Sequence, residues 1–272
     1  MRSALYALFL VTLAAPAFAS DGVIEINQTC AVETGCLTGD TAGFPVTIGE
    51  SGSYRLTGDL VVPDASTSGI SITTSDVTLD LSGFGLFGPT VCTLGASEVS
   101  CAPTGSGDGI SDSSSDGTGT ENVTVKNGTV RGFGRFGVSL AGSQGRIEDM
   151  RAHSNALNGL GVNAVPLSRG GSVLFSSSSL NGSDGIFLGS DGFARGNNTV
   201  ANGRNGIRAN ERCTVVENTM TRNINTGLNV SSGSGYANNV ISNNNGGNVN
   251  PQVSGTGVEM GGNVCGFNTT CP

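Results

Sequence analysis

From Gly137 onward the apolar residues come in short alternating groups, each opened by a glycine. Gly137-Val138-x-Leu140, Gly159-Leu160-x-Val162, Gly185-Ile186-x-Leu188, Gly206-Ile207 and Gly227-Leu228-x-Val230 head segments of 22, 26, 21, 21 and 20 residues. Alternation over so few positions specifies strands with one buried face, and a repeat near twenty residues specifies a solenoid. Helix pairs do not fit, because Gly and Asn disfavour helices of ten residues or more. The leucine-rich pattern LxxLxLxxN is absent. Three short strands per turn with Gly, Asn and Ser corners account for both the alternation and the period. A β-sandwich would supply short strands too, but gives no reason for even spacing.

Internal spacing suggests a register. Asn198, Asn218 and Asn238 lie twenty apart, each two residues before Val200, Met220 or Val240, and Val130 and Met150 are also twenty apart. The expectation is a single right-handed parallel β-helix of about 8–10 coils, with those asparagines stacked in an amide ladder. Wider units, such as 67–89 and 107–136, extend the repeat upstream. The expected division is a signal peptide over 1–19, an N-terminal cap and first strands over 20–62, the β-helix over 63–250 and a C-terminal disulfide cap over 251–272.

Composition agrees with this reading. The 272 residues include 44 Gly, no Trp and only 12% charged side chains, too few for solvent-facing helices. Arg2, the apolar stretch Ala4 to Ala15 and Ala17-Phe18-Ala19 form a secretory signal with a small-x-small cleavage site. No later run reaches eighteen apolar residues, so no transmembrane segment is expected in the mature chain. Removal of Arg2 leaves 12 basic against 21 acidic groups, a formal charge of −9. That balance argues against a nucleic-acid partner. Seven cysteines in an oxidising, secreted or periplasmic compartment suggest local bridges Cys30–Cys36, Cys92–Cys101 and Cys265–Cys271, leaving Cys213 as a buried free thiol. With no CxxC and only His153 among histidines, zinc is not expected.

The ends carry further information. INQTCAVETGC with LTGDTAGFPVTI, then SGSYRLTGDL, GISITTSDVTLDLSGFGLFGP and the terminal GGNVCGFNTTCP resemble a group of bacterial secreted right-handed β-helix proteins of the pectate-lyase-like superfamily. The resemblance spans nearly the whole mature chain and implies the fold, without a catalytic set. The superfamily includes pectate lyases, polygalacturonases, alginate epimerases and phage tailspikes, which implies a bias toward glycans and no mechanism.

Two function classes follow. The leading expectation is a non-catalytic structural or surface-binding protein, whose partner is an extracellular polysaccharide or a cell-surface component. The alternative is a lyase or epimerase acting on an acidic, uronate-containing glycan. For the alternative, Asp149, Arg151 and His153 fall at i, i+2 and i+4 and could share an outward strand face. The twenty-residue register puts Arg131 beneath Arg151. Arginine could clamp a carboxylate bidentately, and His153 could move a proton. Polygalacturonase-like motifs are incomplete: GDG at 107–109 and SDG at 183–185 occur without GHG. Asp108, Asp112 and Asp116 are the candidate ligands for calcium, the one cofactor the residues suggest, although their four-residue spacing is not that of an EF-hand. Phe84, Phe87, Phe133, Phe136, Phe175 and Phe187 are assigned to core or insertion packing.

Overall fold

The computed structural model describes residues 22–112, 119–162, 170–269 and 271. The expected signal peptide, 1–19, and Asp116 lie outside these residues.

The chain winds into a right-handed parallel β-helix of about nine turns, the handedness that strand-to-strand crossovers adopt almost without exception. The first strand of each coil joins a nine-stranded sheet running from Val46–Ile48 to Val253–Gly255. The second and third strands join a seventeen-stranded sheet that bends at a corner within each coil. Register is exact down the stack. Val46, Ile70, Ile110, Val138, Leu160, Ile186, Ile207, Leu228 and Val253 are successive neighbours. Three-residue strands such as Ile70–Ile72 and Leu228–Val230 turn their first and last side chains inward and the middle one outward. The inward residues form one continuous apolar column from Ile26 to Cys265.

Corners need a backbone that turns without spending an inward position. A residue in the left-handed region does this at each of them, for example Ser154, Leu180, Ala201, Arg222 and Asn243, with φ between 53° and 58°. The next residue points inward, and there it is asparagine: Asn155, Asn181, Asn202, Asn223 and Asn244, all buried. Each side-chain amide donates to the Oδ1 of the next (3.0 Å from Asn181 to Asn202, 3.0 Å from Asn202 to Asn223), and each backbone N–H donates to the same oxygen. Gln252 ends this ladder by accepting from Asn244 at 3.1 Å.

A second ladder occupies the bend between second and third strands. It comprises Asn197, Asn218, Asn239 and Asn263, joined at 3.0–3.1 Å. This corrects the expected stack. Asn198 is exposed and pairs with Thr219, while Asn238 has φ 56° and forms the corner itself. The repeat is 21 residues, because the left-handed residue at each corner suspends strand alternation.

Glycines that open the repeats pack against these amides. A Cβ on Gly206 would lie 2.7 Å from Asn223 Nδ2 and 2.6 Å from the Gly227 carbonyl oxygen. Glycine here is a matter of space.

The three disulfides form as expected, and Cys213 is a buried free thiol, its pKa pushed up to about 11 chiefly by burial. Cys92–Cys101 closes an antiparallel hairpin, Val91–Leu94 with Val99–Ala102, inserted in the coil between Ile70 and Ile110. The hairpin lies along the asparagine corner: its sulfurs sit 3.7 and 3.9 Å from the Asn155 carbonyl oxygen, and its tip lines a hollow of about 470 Å³ together with Arg222 and Asn245. Disulfides fit an extracellular or periplasmic compartment. Among the described residues no helix is long and apolar enough to cross a membrane.

Candidate functional site

A groove runs down the outer face of the nine-stranded sheet. Its near wall is the outward middle residue of each strand: Ser139, Gly161, Phe187, Arg208, Asn229 and Ser254. The far wall is the corner column Leu157, Ser183, Arg204, Asn225 and Asn245, whose backbones are hydrogen-bonded coil to coil. Between them lies a polar floor. Asn205 donates to Asp184 Oδ1 from its backbone N–H at 3.0 Å and from Nδ2 at 2.8 Å, and Thr226 donates to Asn205 Oδ1 at 3.0 Å. Five coil steps make the groove about 24 Å long.

Two hollows open in it. One of about 320 Å³ is lined by Phe136, Leu157, Asp184, Phe187, Arg204 and Arg208 among others. The next, of about 440 Å³, shares Arg204 and Arg208 and continues to Asn229 and Ser254. The bare backbone of Gly161, between Ser139 and Phe187, helps open the first. Two aromatic faces bound the groove and each carries a guanidinium: Arg208 lies 5.5 Å from the centroid of Phe187, and Arg135 lies 5.0 Å from that of Phe136. Phe136 and Phe187, assigned from sequence to packing, therefore face this groove. Arg135 is partnered by Asp108 at 3.6 Å. Among the described residues no ion pair engages Arg204 or Arg208, so two guanidinium forks project into one groove alongside the buried Asp184 carboxylate. That arrangement suits a ligand bearing carboxylate or sulfate groups along its length.

The site residues expected from sequence lie elsewhere, on the third-strand face. Arg131 sits beside His153, whereas Arg151 sits beside Thr129 and Ser177. The expected Arg131–Arg151 stack is therefore absent, because the step between these coils is 22 residues. Asp149 occupies the left-handed corner, φ 52°, and leaves the strand alternation that would have grouped it with Arg151 and His153. Arg131 lies 4.6 Å over the ring of Phe87. Burial and then the Arg131 charge hold the His153 imidazole below its ordinary pKa. None of these four residues lines either hollow of the groove.

Asp108 and Asp112 flank and end one strand, and both are buried. Asp108 accepts from the Phe136 N–H at 3.1 Å. Asp112 points into the core, where its carboxylate accepts from the Thr120 hydroxyl and from the N–H groups of Ala141 and Gly142. Burial raises both pKa values. These two carboxylates are thus engaged by the chain's own donors, and among the described residues no group of three or more His, Cys, Asp or Glu is arranged for a metal ion.

The groove residues were missed for want of the right register. Counted from the repeat glycines, the outward position is two residues on (Phe187, Arg208) and the corner position is two residues back (Arg135, Arg204). Both columns were present in the chain.

No protein-family model matches this sequence, and no curated protein matches it. Solved structures do. The tailspike protein of Dettilon (gp208) aligns at TM-score 0.50 and 15% identity over 78% of this chain and 50% of that one. The A-module of Azotobacter vinelandii mannuronan C-5 epimerase AlgE4 gives 0.49 and 17%, covering 86% of this chain and 70% of the module. Pectate lyase Pel9A gives 0.48 and 12%, covering 90% and 80%. At such identities the likeness concerns the fold alone, and the class it defines is the right-handed parallel β-helix.

Proposed function

We propose that this protein is a secreted, non-catalytic β-helix that binds an acidic polysaccharide along the outer groove of its nine-stranded sheet. The observation that carries the reading is the pair Arg204 and Arg208, unpaired among the described residues and shared by both hollows, beside the ring of Phe187. A net charge of −8 repels an anionic polymer at long range, so binding depends on this local patch and weakens with salt. Lys126 and His153, the only lysine and histidine, belong to strands of the other sheet. One observation favours the lyase or epimerase reading instead. The Asp184 carboxylate, 1% exposed, lines the same hollow as the two arginines.

Titration calorimetry with alginate, polygalacturonate and neutral dextran tests the proposal. Binding to an acidic polymer and not to dextran is expected. Joint Arg204→Ala and Arg208→Ala substitution should weaken it at least about tenfold. Arg151→Ala and His153→Ala, on the other face, should leave it unchanged. Equal binding to dextran, or insensitivity to the two groove arginines, would remove the proposal. Growth of unsaturated-uronate absorbance during the titration would replace it with the lyase reading.

A further inference from the structure

The two ends of the solenoid are finished differently. At the N-terminal end all three strands of the first coil have their outer edges met. Strand Ile24–Ile26 pairs with Gly52–Leu56. The Gln28 side chain donates to the Val61 carbonyl at 3.2 Å and accepts from its N–H at 2.8 Å. Asp40 accepts from the Thr47 N–H at 3.1 Å. Helix α1 (Gln28–Glu33) seals the column with fully buried Ala31, and the ion pair Glu25–Arg55 charges the rim.

At the C-terminal end, Val253–Gly255 and Val258–Glu259 are each paired on one side only among the described residues. Among the described residues the tail meets the backbone of the third strand, Val264–Cys265, at Asn268, and it reaches the second strand only through the Glu259 side chain. Around these edges Val249 is 86% exposed, Phe267 79%, Val258 61% and Met260 56%. From Asn223 to Pro272 the sequence holds one charged side chain, Glu259. Its carboxylate is turned to internal use, accepting from Asn263 Nδ2 at 3.2 Å and the Cys271 N–H at 3.1 Å. Proteins normally blunt a free strand edge with charge, proline or a cover. This apolar edge has no charged gatekeeper.

We propose that the C-terminal coil is an interface with the same coil of a second copy of this chain, the two solenoids meeting end to end. The charge pattern selects that occupant. A chain of net charge −8 can approach its own copy most closely where it carries least charge, and a strongly charged partner finds no complement here. The edge is also self-complementary: a twofold axis perpendicular to both the solenoid axis and Val253–Gly255 sets that strand antiparallel to its copy, so donors meet acceptors. The apolar side chains around the edge would then be covered on both sides.

Sedimentation equilibrium across the micromolar range, with small-angle scattering on the same samples, tests this on the unmodified protein. A dimer whose longest dimension is roughly twice that of the monomer is expected, since nine coils rise about 43 Å and stack end to end. Val258→Lys and Phe267→Lys should each weaken it at least about tenfold, while Val32→Lys at the opposite end should not. A monomer throughout, a dimer that widens without lengthening, or a dimer indifferent to both C-terminal lysines would overturn the proposal. The scattering result does not depend on any variant folding.

Discussion

The first coils and the last coils of this β-helix are held by different forces. From Ile186 to Ile207 and from Ile207 to Leu228 the step is 21 residues, and both asparagine ladders run through these coils. Upstream, from Val46 to Ile70 and from Ile70 to Ile110, the steps are 24 and 40 residues. Those coils are filled by large aliphatic side chains such as Leu60, Leu79, Leu81 and Leu86. The changeover is local. Phe133, fully buried, stands where the next coil has Asn155 and donates its N–H to that residue's Oδ1 at 3.2 Å. Met150 likewise precedes Ser176 and Asn197. An aliphatic column tolerates insertions at its corners because dispersion and burial have no direction. An amide ladder restricts where they fall: the 26-residue step from Asn155 to Asn181 keeps its amide bond at 3.0 Å, because the extra residues lie between Val162 and Ser172, away from the asparagine corners. Evenness of the stretch between the laddered asparagines is thus a consequence of the directional bonds.

The largest test of this contrast is to cut a ladder. Asn202→Ala leaves the Asn181 backbone N–H without its acceptor and takes a partner from the Ser178 carbonyl, from Asn181 Nδ2 and from Asn223 Oδ1 inside the column. A loss of roughly 3–5 kcal/mol in chemical denaturation is expected, because stranding buried polar groups costs about 1–3 kcal/mol each. Asn198→Ala, the exposed neighbour by sequence pattern, should stay within about 0.5 kcal/mol. Equal effects at the two positions would break the distinction between ladder and surface asparagine.

A smaller effect is expected from crowding the ladder. Gly206→Ala puts a Cβ 2.5 Å from Thr199 Oγ1 as well as against Asn223, and should destabilise by about 1–3 kcal/mol. Gly58, in the aliphatic part, has open space around its Cβ position, and Gly58→Ala should be near neutral. Thermal unfolding of the two variants makes the comparison directly.

Thr199 sharpens the contrast from the opposite direction. It lies in the same inward column as Ser178 and Met220, and its hydroxyl is buried with no partner among the described residues. Ser178, one coil earlier, donates to the Gly185 carbonyl at 2.7 Å. Thr199→Val should therefore stabilise by about 1 kcal/mol, whereas Ser178→Ala should destabilise by about the same amount. A loss in both would mean that Thr199 has an acceptor after all.

Much of this is legible in the sequence. Repeat glycines marked the start of each first strand, and the cysteine spacings matched all three bridges. What slipped was the count at the corners. Asn197-Asn198 and Asn238-Asn239 are adjacent pairs, and choosing the outer member of one and the corner member of the other gave a repeat of twenty instead of 21. The error is physical in origin: alternation tells inside from outside only within a strand, and the left-handed residues Gly196, Glu217 and Asn238 sit between strands. The same slip placed Arg131 under Arg151, and it hid Arg204 and Arg208 as neighbours on one groove.

The weakest effect concerns the boundary between the two regimes, where His153 ends a strand one coil below the ladder-rich part. Its half-buried ring faces Arg131 in the coil below and Ser179 in the coil above, with Ser154 Oγ 3.4 Å from Nδ1 and Arg151 on the same strand. Burial first, and then the Arg131 charge, depress the folded-state pKa. The unfolded chain therefore binds the proton more readily, near the ordinary value of about 6.5. Stability from this group is present above that value and is lost as pH falls through the folded one. Asp112, whose pKa is raised by burial, acts with the opposite sign: its contribution is present below the ordinary carboxylate range and is lost as pH rises through its folded value. His153→Gln should flatten the decline in denaturation midpoint between about pH 7 and 5 by only a few tenths of a kcal/mol, because solvent screens a half-exposed ring. It should leave the behaviour below about pH 5, where ordinary carboxylates titrate, unchanged. An unaltered slope from pH 7 to 5 would show that Arg131 is turned to Phe87 alone, and that the imidazole does not feel the coil beneath it.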